Sequence, residues 1–205
     1  MYTVCRERGG VVMTENRVLK VKIEGLEPGY MQSRLDPYDL LKDASGKKAT
    51  GGGEPKDPEN LEFQAHRKLY LNDKKQPCIP AQHIYGSLLN AAKDFKIQGR
   101  RGKSYREVFA SSVKVAPELI PITPPTWEID LKAANNPRAG RIPVVRPKFP
   151  AGWTAEFVLN IEDEQITDET VKRVLEHAGT NKGIGSYRPT NEGPYGRFLV
   201  RTFDN

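Results

Sequence analysis

Trp153-Thr154-Ala155-Glu156-Phe157-Val158-Leu159-Asn160-Ile161 alternates residue by residue. Trp153, Ala155, Phe157, Leu159 and Ile161 share one face, the period of a strand with one side buried. The next segment changes period. Thr167 caps a helix through Ala178, with Asp168 and Glu169 in its first turn. Val171, Val174, Leu175 and Ala178 form its core stripe, and Gly179 stands just past its end. Alternation returns at 197–203, where Phe198 and Val200 oppose Arg197, Leu199 and Arg201. This half of the chain therefore reads strand, helix, strand.

The N-terminal half repeats the pattern. Leu19, Val21 and Ile23 face one way in 18–25, Lys20, Lys22 and Glu24 the other, and Gly25 closes the strand. Apolar residues at 84, 88, 91, 92 and 95 predict a helix over 80–95, with Pro80 in its first turn. Gly86 lies inside it at a cost of about 1 kcal/mol relative to Ala, which suggests a close backbone approach. A short strand is expected at 111–116. The order of elements implies an α+β, ferredoxin-like fold with an antiparallel sheet and two helices on one face. RNA-recognition modules share this architecture and leave the other sheet face free.

The chain reads as a single domain, 1–205, with two insertions. Residues 36–62 carry seven acids against four lysines, three prolines and few large apolar groups, and predict a flexible acidic arm. Residues 117–150 are proline-rich and predict an irregular segment with an edge strand near Arg141–Arg146.

The 205 residues hold 32 Lys+Arg and 26 Asp+Glu, a net charge of +6. No apolar run approaches a membrane span, and Met1–Arg8 lacks the apolar core of a signal peptide. Two cysteines, Cys5 and Cys78, exclude a disulfide framework and a four-sulfur zinc site. The expectation is a soluble cytoplasmic protein without metal or other cofactor. The charge is segregated. Segment 91–106 sets six bases against Asp94, segment 132–148 has five bases and no acid, and segment 182–201 sets four bases against Glu192. Clustered base with acid elsewhere is the footprint of a polyanion binder.

Two stretches carry the candidate chemistry. Gly183-Ile184-Gly185-Ser186-Tyr187-Arg188 through Gly193-Pro194-Tyr195-Gly196-Arg197 follows a helix and lacks a closing Gly-Lys-Ser/Thr. It is therefore neither a phosphate-binding nucleotide loop nor a dinucleotide fingerprint. Its glycines can cradle phosphate while its tyrosines stack, or they can simply satisfy turn geometry. The stretch 96–106 is basic and glycine-broken. The candidate nucleic-acid-binding residues are Lys96, Arg100, Arg101, Lys103, Tyr105 and Arg106, then Arg141 and Arg146, then Lys182, Tyr187, Arg188, Tyr195 and Arg197.

Ile79-Pro80-Ala81-Gln82-His83-Ile84-Tyr85-Gly86 resembles the helix start of the repeat-associated mysterious protein (RAMP) superfamily. Gly183-Ile184-Gly185 with Tyr195-Gly196-Arg197-Phe198 resembles that superfamily's glycine-rich loop, and Lys20–Pro28 its first strand and turn. Within it, the chain looks most like CRISPR subunits that polymerise along a guide RNA. It is also similar to small phage and prophage proteins. The resemblance implies a part in antiviral defence, single-stranded nucleic acid as partner with RNA ahead of DNA, other ribonucleoprotein subunits, and a homo-oligomer or filament. Two alternatives stay open. One is a phage-type structural or inhibitor protein that uses its basic surface on a protein. The other is an RNA endonuclease built on His66, His83 or His177, for which spacing assigns no partner acid. Glu162, Asp163, Glu164, Asp168 and Glu169 read as helix-capping charge or as a metal site.

Overall fold

The computed structural model describes residues 3–7, 10–14, 17–34, 58–136 and 140–204. Two strands, β1 (Thr3–Glu7) and β2 (Gly10–Thr14), form an antiparallel hairpin. Then follow β3 (Arg17–Gly25), β4 (Tyr30–Met31), α1 (Pro58–Arg67), β5 (Cys78–Pro80) and α2 (Ala81–Ala92). Next come α3 (Arg106–Ser112), β6 (Val113–Ala116), β7 (Leu119–Pro121), β8 (Glu128–Asn136) and β9 (Gly140–Phe149). The chain closes with β10 (Thr154–Ile161), α4 (Asp168–His177) and β11 (Phe198–Asp204). It is a mixed α/β structure with antiparallel sheets.

The main sheet has the order β11-β3-β10-β6, antiparallel at each pairing. Leu19, Val21 and Ile23 of β3 lie opposite Leu159, Phe157 and Ala155 of β10, so one register buries both apolar sets together. Ile84, Leu88 and Ala91 of α2 and Val171, Val174 and Leu175 of α4 complete the same cluster. Truncating Phe157 to Ala there should cost about 3–5 kcal/mol. Thr167 accepts a hydrogen bond from the Thr170 N–H, the cap expected from its position. Arg17 holds the entry to α4, pairing with Asp168 at 2.6 Å and donating to the Asp163 and Ile166 carbonyls.

Four expectations change. Gly179 does not end a helix. The chain continues as a five-residue π-helical turn, Ala178–Lys182, and a Cβ on Gly179 would overlap the Phe198 carbonyl. The glycine is there for close packing on β11. The strand expected at 111–116 begins only at Val113, because Arg106–Ser112 form α3, whose two buried residues leave no periodic stripe. Residues 117–150 are not irregular throughout: β8 and β9 pair from Glu128–Lys148 to Asn136–Gly140. The Val145 and Pro147 carbonyls accept from the Lys68 ammonium and the Gln32 N–H, so both point away from β8. Pro143 shares that parity, and neither proline removes a donor from the β8–β9 ladder. Lastly, most of the 36–62 arm lies outside the described residues, and its final residues, from Pro58, open α1.

The free face of the main sheet differs from that of an RNA-recognition module. It carries Lys22 paired with Glu156 at 2.9 Å and Glu24 paired with Arg201 at 2.7 Å. Phe203, after the bulge at Val200/Thr202, pairs with Val21 and packs on the core. Among the described residues this face offers no aromatic platform for bases.

Candidate nucleic-acid interface

The glycine-rich loop is held by its own chain. Gly183, Gly185 and Gly196 have φ of 66°, 73° and 75°, backbone that L side chains rarely adopt. A Cβ at Gly185 would overlap the Tyr30 ring, and one at Gly196 the Ile184 carbonyl. The Gly196 N–H donates to Gly29 O at 2.8 Å and the Ser186 N–H to Met31 O at 2.9 Å. Chain-on-chain packing therefore accounts for these glycines, and turn geometry outweighs a phosphate cradle at these positions.

What the tight loop presents is Tyr187. It is 40% exposed and held at φ 57°, an uncommon conformation for a bulky residue. Gly193 sits directly under its carbonyl, and the Tyr195 N–H donates to that carbonyl at 3.1 Å. Such strain persists only where the surroundings over-determine it. The Tyr195 ring lies 6.2 Å from that of Tyr187 but is buried. Lys132 donates to the Tyr195 hydroxyl and stands 4.4 Å over its ring. Burial pulls the Lys132 ammonium down, but hydrogen bonds to Asp130 and Tyr195 outweigh it and raise it, so it stays charged. One oxygen of Asp130 is held by Lys132 at 2.6 Å. Its other oxygen, and Nε of the facing Arg146, are buried without a partner among the described residues. Unpaired buried polar groups of this kind invite a ligand or ordered water.

Arg188 completes this cluster. It donates to the Gly185 carbonyl and to the Thr190 hydroxyl, both at 2.7 Å. Beside it lies His83, in the first turn of α2, hydrogen-bonded through Nδ1 to the buried Tyr30 hydroxyl at 3.0 Å. Burial, with the Arg188 charge, pushes the His83 imidazole down to about 4. The helix start and the glycine loop, far apart in sequence, thus meet through Tyr30. Arg197 is exposed on the same loop.

The other candidates divide. Lys96, Arg100, Arg101, Lys103 and Arg106 are exposed, and Arg100 reaches Gln165 at 3.0 Å. Tyr105 is half-buried, edge-on to Phe109 at 6.4 Å. This group follows the far end of α2. From His83 to Ala92, where α2 ends, is nine residues, roughly 13 Å of helix rise. The two basic loops therefore do not form one compact site. Lys182 differs from these in having a partner: its ammonium pairs with Asp94 at 2.6 Å. The Arg141 side chain lies outside the described ones.

Each of the other two histidines also has a neighbour. His177 meets Asp94 through Nε2 at 2.8 Å and Asn181 through Nδ1 at 2.9 Å. His66 lies 6.4 Å from the Trp127 ring. Three of the five acids near α4 also have partners: Glu162 pairs with Lys114, Asp163 accepts from the Gln165 N–H, and Asp168 pairs with Arg17. Among the described residues no three His, Cys, Asp or Glu side chains could hold a metal ion, and no helix is long and apolar enough to cross a membrane. Sequence reasoning missed Tyr30, whose two-residue strand has no periodicity to read, and Lys132 as a partner of Tyr195.

No protein-family model matches the chain, and no curated protein matches it. Among solved structures it is similar to a chain in the cryo-EM structure of the Type III-B Cmr-beta bound to cognate target RNA. The identity is 14% and the TM-score 0.46. The match covers 91% of this chain but 59% of that one, so this chain spans about three-fifths of that chain's length.

Proposed function

We propose that the chain is a non-catalytic module that binds single-stranded nucleic acid, RNA ahead of DNA. In this reading the fold is ferredoxin-like, and the strand runs past the glycine-rich loop and the β8–β9 hairpin. The observation that carries it is Tyr187, an exposed ring held in strained backbone next to Arg188 in sequence and 6.2 Å from Tyr195, the partner of Lys132, with Arg197 exposed on the same loop. A fixed aromatic among cations suits base stacking with phosphate neutralisation, which tolerates any sequence. The exposed cations of 96–106 extend the electrostatic track. A cytoplasmic ribonucleoprotein subunit assembling along a strand remains the setting that the RAMP resemblance implies.

The test is fluorescence anisotropy with a labelled RNA and the matching DNA at two salt concentrations. Binding that weakens with salt in the parent and falls in Tyr187→Ala and Arg197→Ala supports the reading. Parent protein that binds neither strand, across a concentration series that would reveal cooperative assembly, overturns it.

A further inference from the structure

A recess lies beyond the C-terminal end of α2, away from the glycine-rich loop. It is a half-open hollow of about 630 Å³, within the usual size range of small-molecule sites. Phe95, Ile97 and Tyr105 supply its apolar wall, and Lys96, Thr170 and Arg173 its polar one. Phe95 and Tyr105 each press against the core and leave part of the ring accessible. The Arg173 guanidinium lies 5.6 Å over the Phe95 ring, adding a flat cationic surface.

The loop that forms the recess is built rather than loose. The Ile97 N–H donates to Lys103 O at 3.0 Å, the Tyr105 N–H donates to Phe95 O at 3.0 Å, and Lys96 bridges to Ser104. Arg100 fastens the loop to Gln165, just before α4. The one carboxylate in the lining, Asp94, has its charge offset by Lys182 at 2.6 Å and is hydrogen-bonded to His177. It therefore does not repel an anion, while Lys96 and Arg173 attract one.

We propose that this recess is a nucleotide-binding site, taking a base against Tyr105 and Arg173 and a phosphate against Lys96. Aromatic walls alone would suit any apolar ligand, and cations alone any anion; the combination selects a planar ring joined to phosphate. The nucleotide is either free in solution or one unit of a strand. The site does not depend on the strand surface around Tyr187, so the two readings can fail separately.

The experiment titrates the full chain with AMP and UMP by calorimetry, and with a labelled oligonucleotide by anisotropy. Tyr105→Leu and Arg173→Gln are compared with Tyr187→Ala, and each variant is first melted to confirm its fold. Should Tyr105→Leu fold poorly, Arg173→Gln, at an exposed helical position, still decides the matter. Mononucleotide binding by the parent, weakened about tenfold by either recess variant and unchanged by Tyr187→Ala, is the expected result. Equal weakening of the oligonucleotide by the recess variants identifies a strand unit as the occupant; an unchanged oligonucleotide identifies a free nucleotide. Absence of mononucleotide binding up to about 1 mM, or binding that the recess variants leave unaltered, overturns the proposal.

Discussion

The loops at 183–197 and 96–106 look alike in sequence: both are basic, glycine-broken and furnished with tyrosine. In the structure they are opposites. Gly183, Gly185, Gly193 and Gly196 each face atoms of their own chain, whereas Gly99 and Gly102 face open space. Arg188 spends its donors on a carbonyl and a hydroxyl, while Arg101, Lys103 and Arg106 are exposed. The first loop is a rigid mount for one exposed ring. The second is a charged rim beside a recess. The same composition therefore yields glycines packed under an exposed ring in one place and hydrogen-bonded turns that leave their cations exposed to solvent in the other.

The largest expected effect separates them by stability. Gly185→Ala places a methyl in the Tyr30 ring at φ 73°, so backbone strain of about 1–2 kcal/mol adds to overpacking of about 1–3 kcal/mol. Gly99→Ala, at φ 76° with nothing near, should cost the strain alone. Thermal melts of the two variants check this. Equal losses would mean that the glycine-rich loop is no better packed than the basic one.

Acid should sharpen the contrast next. His83 takes up its proton near pH 4 when folded and near 6.5 when unfolded. Between those values the unfolded chain binds more protons, so stability falls as pH drops from 6.5 toward 4. The whole shift amounts to at most about 3 kcal/mol, less where water reaches the ring. Denaturant melts from pH 7 to 4 should show this slope in the parent and a flatter one in His83→Gln. An unchanged slope in the variant would detach His83 from the acid response.

How much of this was legible follows from what sequence can encode. The strands at 18–25 and 153–161 were readable because each buries one whole face, and burial repeats every second residue. The helix over 168–177 was readable because its cap, first-turn acids and apolar stripe agree. The three-residue strands β5 and β7 are too short to alternate, and α3 hides inside a run of charge. Tyr30 and Gln32 are buried by partners distant in sequence: Gln32 donates to Cys78 O at 2.7 Å and accepts from the Tyr70 N–H at 2.9 Å. No local pattern announces such a bridge. The basic residues were all visible as charge, but which of them had a partner was not.

Binding should split the loops in kind. Tyr187→Ala removes a stacking ring, so affinity for single-stranded RNA should fall by about 1–3 kcal/mol with little change in salt dependence. Replacing Arg100, Arg101 and Lys103 together by Ala should instead flatten the log–log salt slope, by roughly 0.7 for each lost phosphate contact. Anisotropy at several salt concentrations reads both quantities. A flattened slope from Tyr187→Ala, or none from the triple variant, would erase the distinction between mount and rim.

The smallest effect tests the comparison at its margin. Lys182 directly precedes the glycine-rich loop and adds to its charge, yet its side chain is 20% exposed and its ammonium is 2.6 Å from Asp94. Asp94 also meets His177, and these two hydrogen bonds hold its carboxyl below the usual range. The carboxylate therefore stays ionised, and the lysine stays engaged across the neutral range. A phosphate at Lys182 would have to share the ammonium with Asp94, a carboxylate of like charge, which weakens its gain. Lys182→Ala should accordingly leave strand affinity and salt slope unchanged and cost at most about 1 kcal/mol of stability, since a partly exposed ion pair is worth little. Asp94 would then retain His177 alone. If Lys182→Ala instead weakens RNA binding as much as Arg197→Ala, the ion pair opens in the complex, and partnership in the free protein is no guide to which bases on this surface meet phosphate.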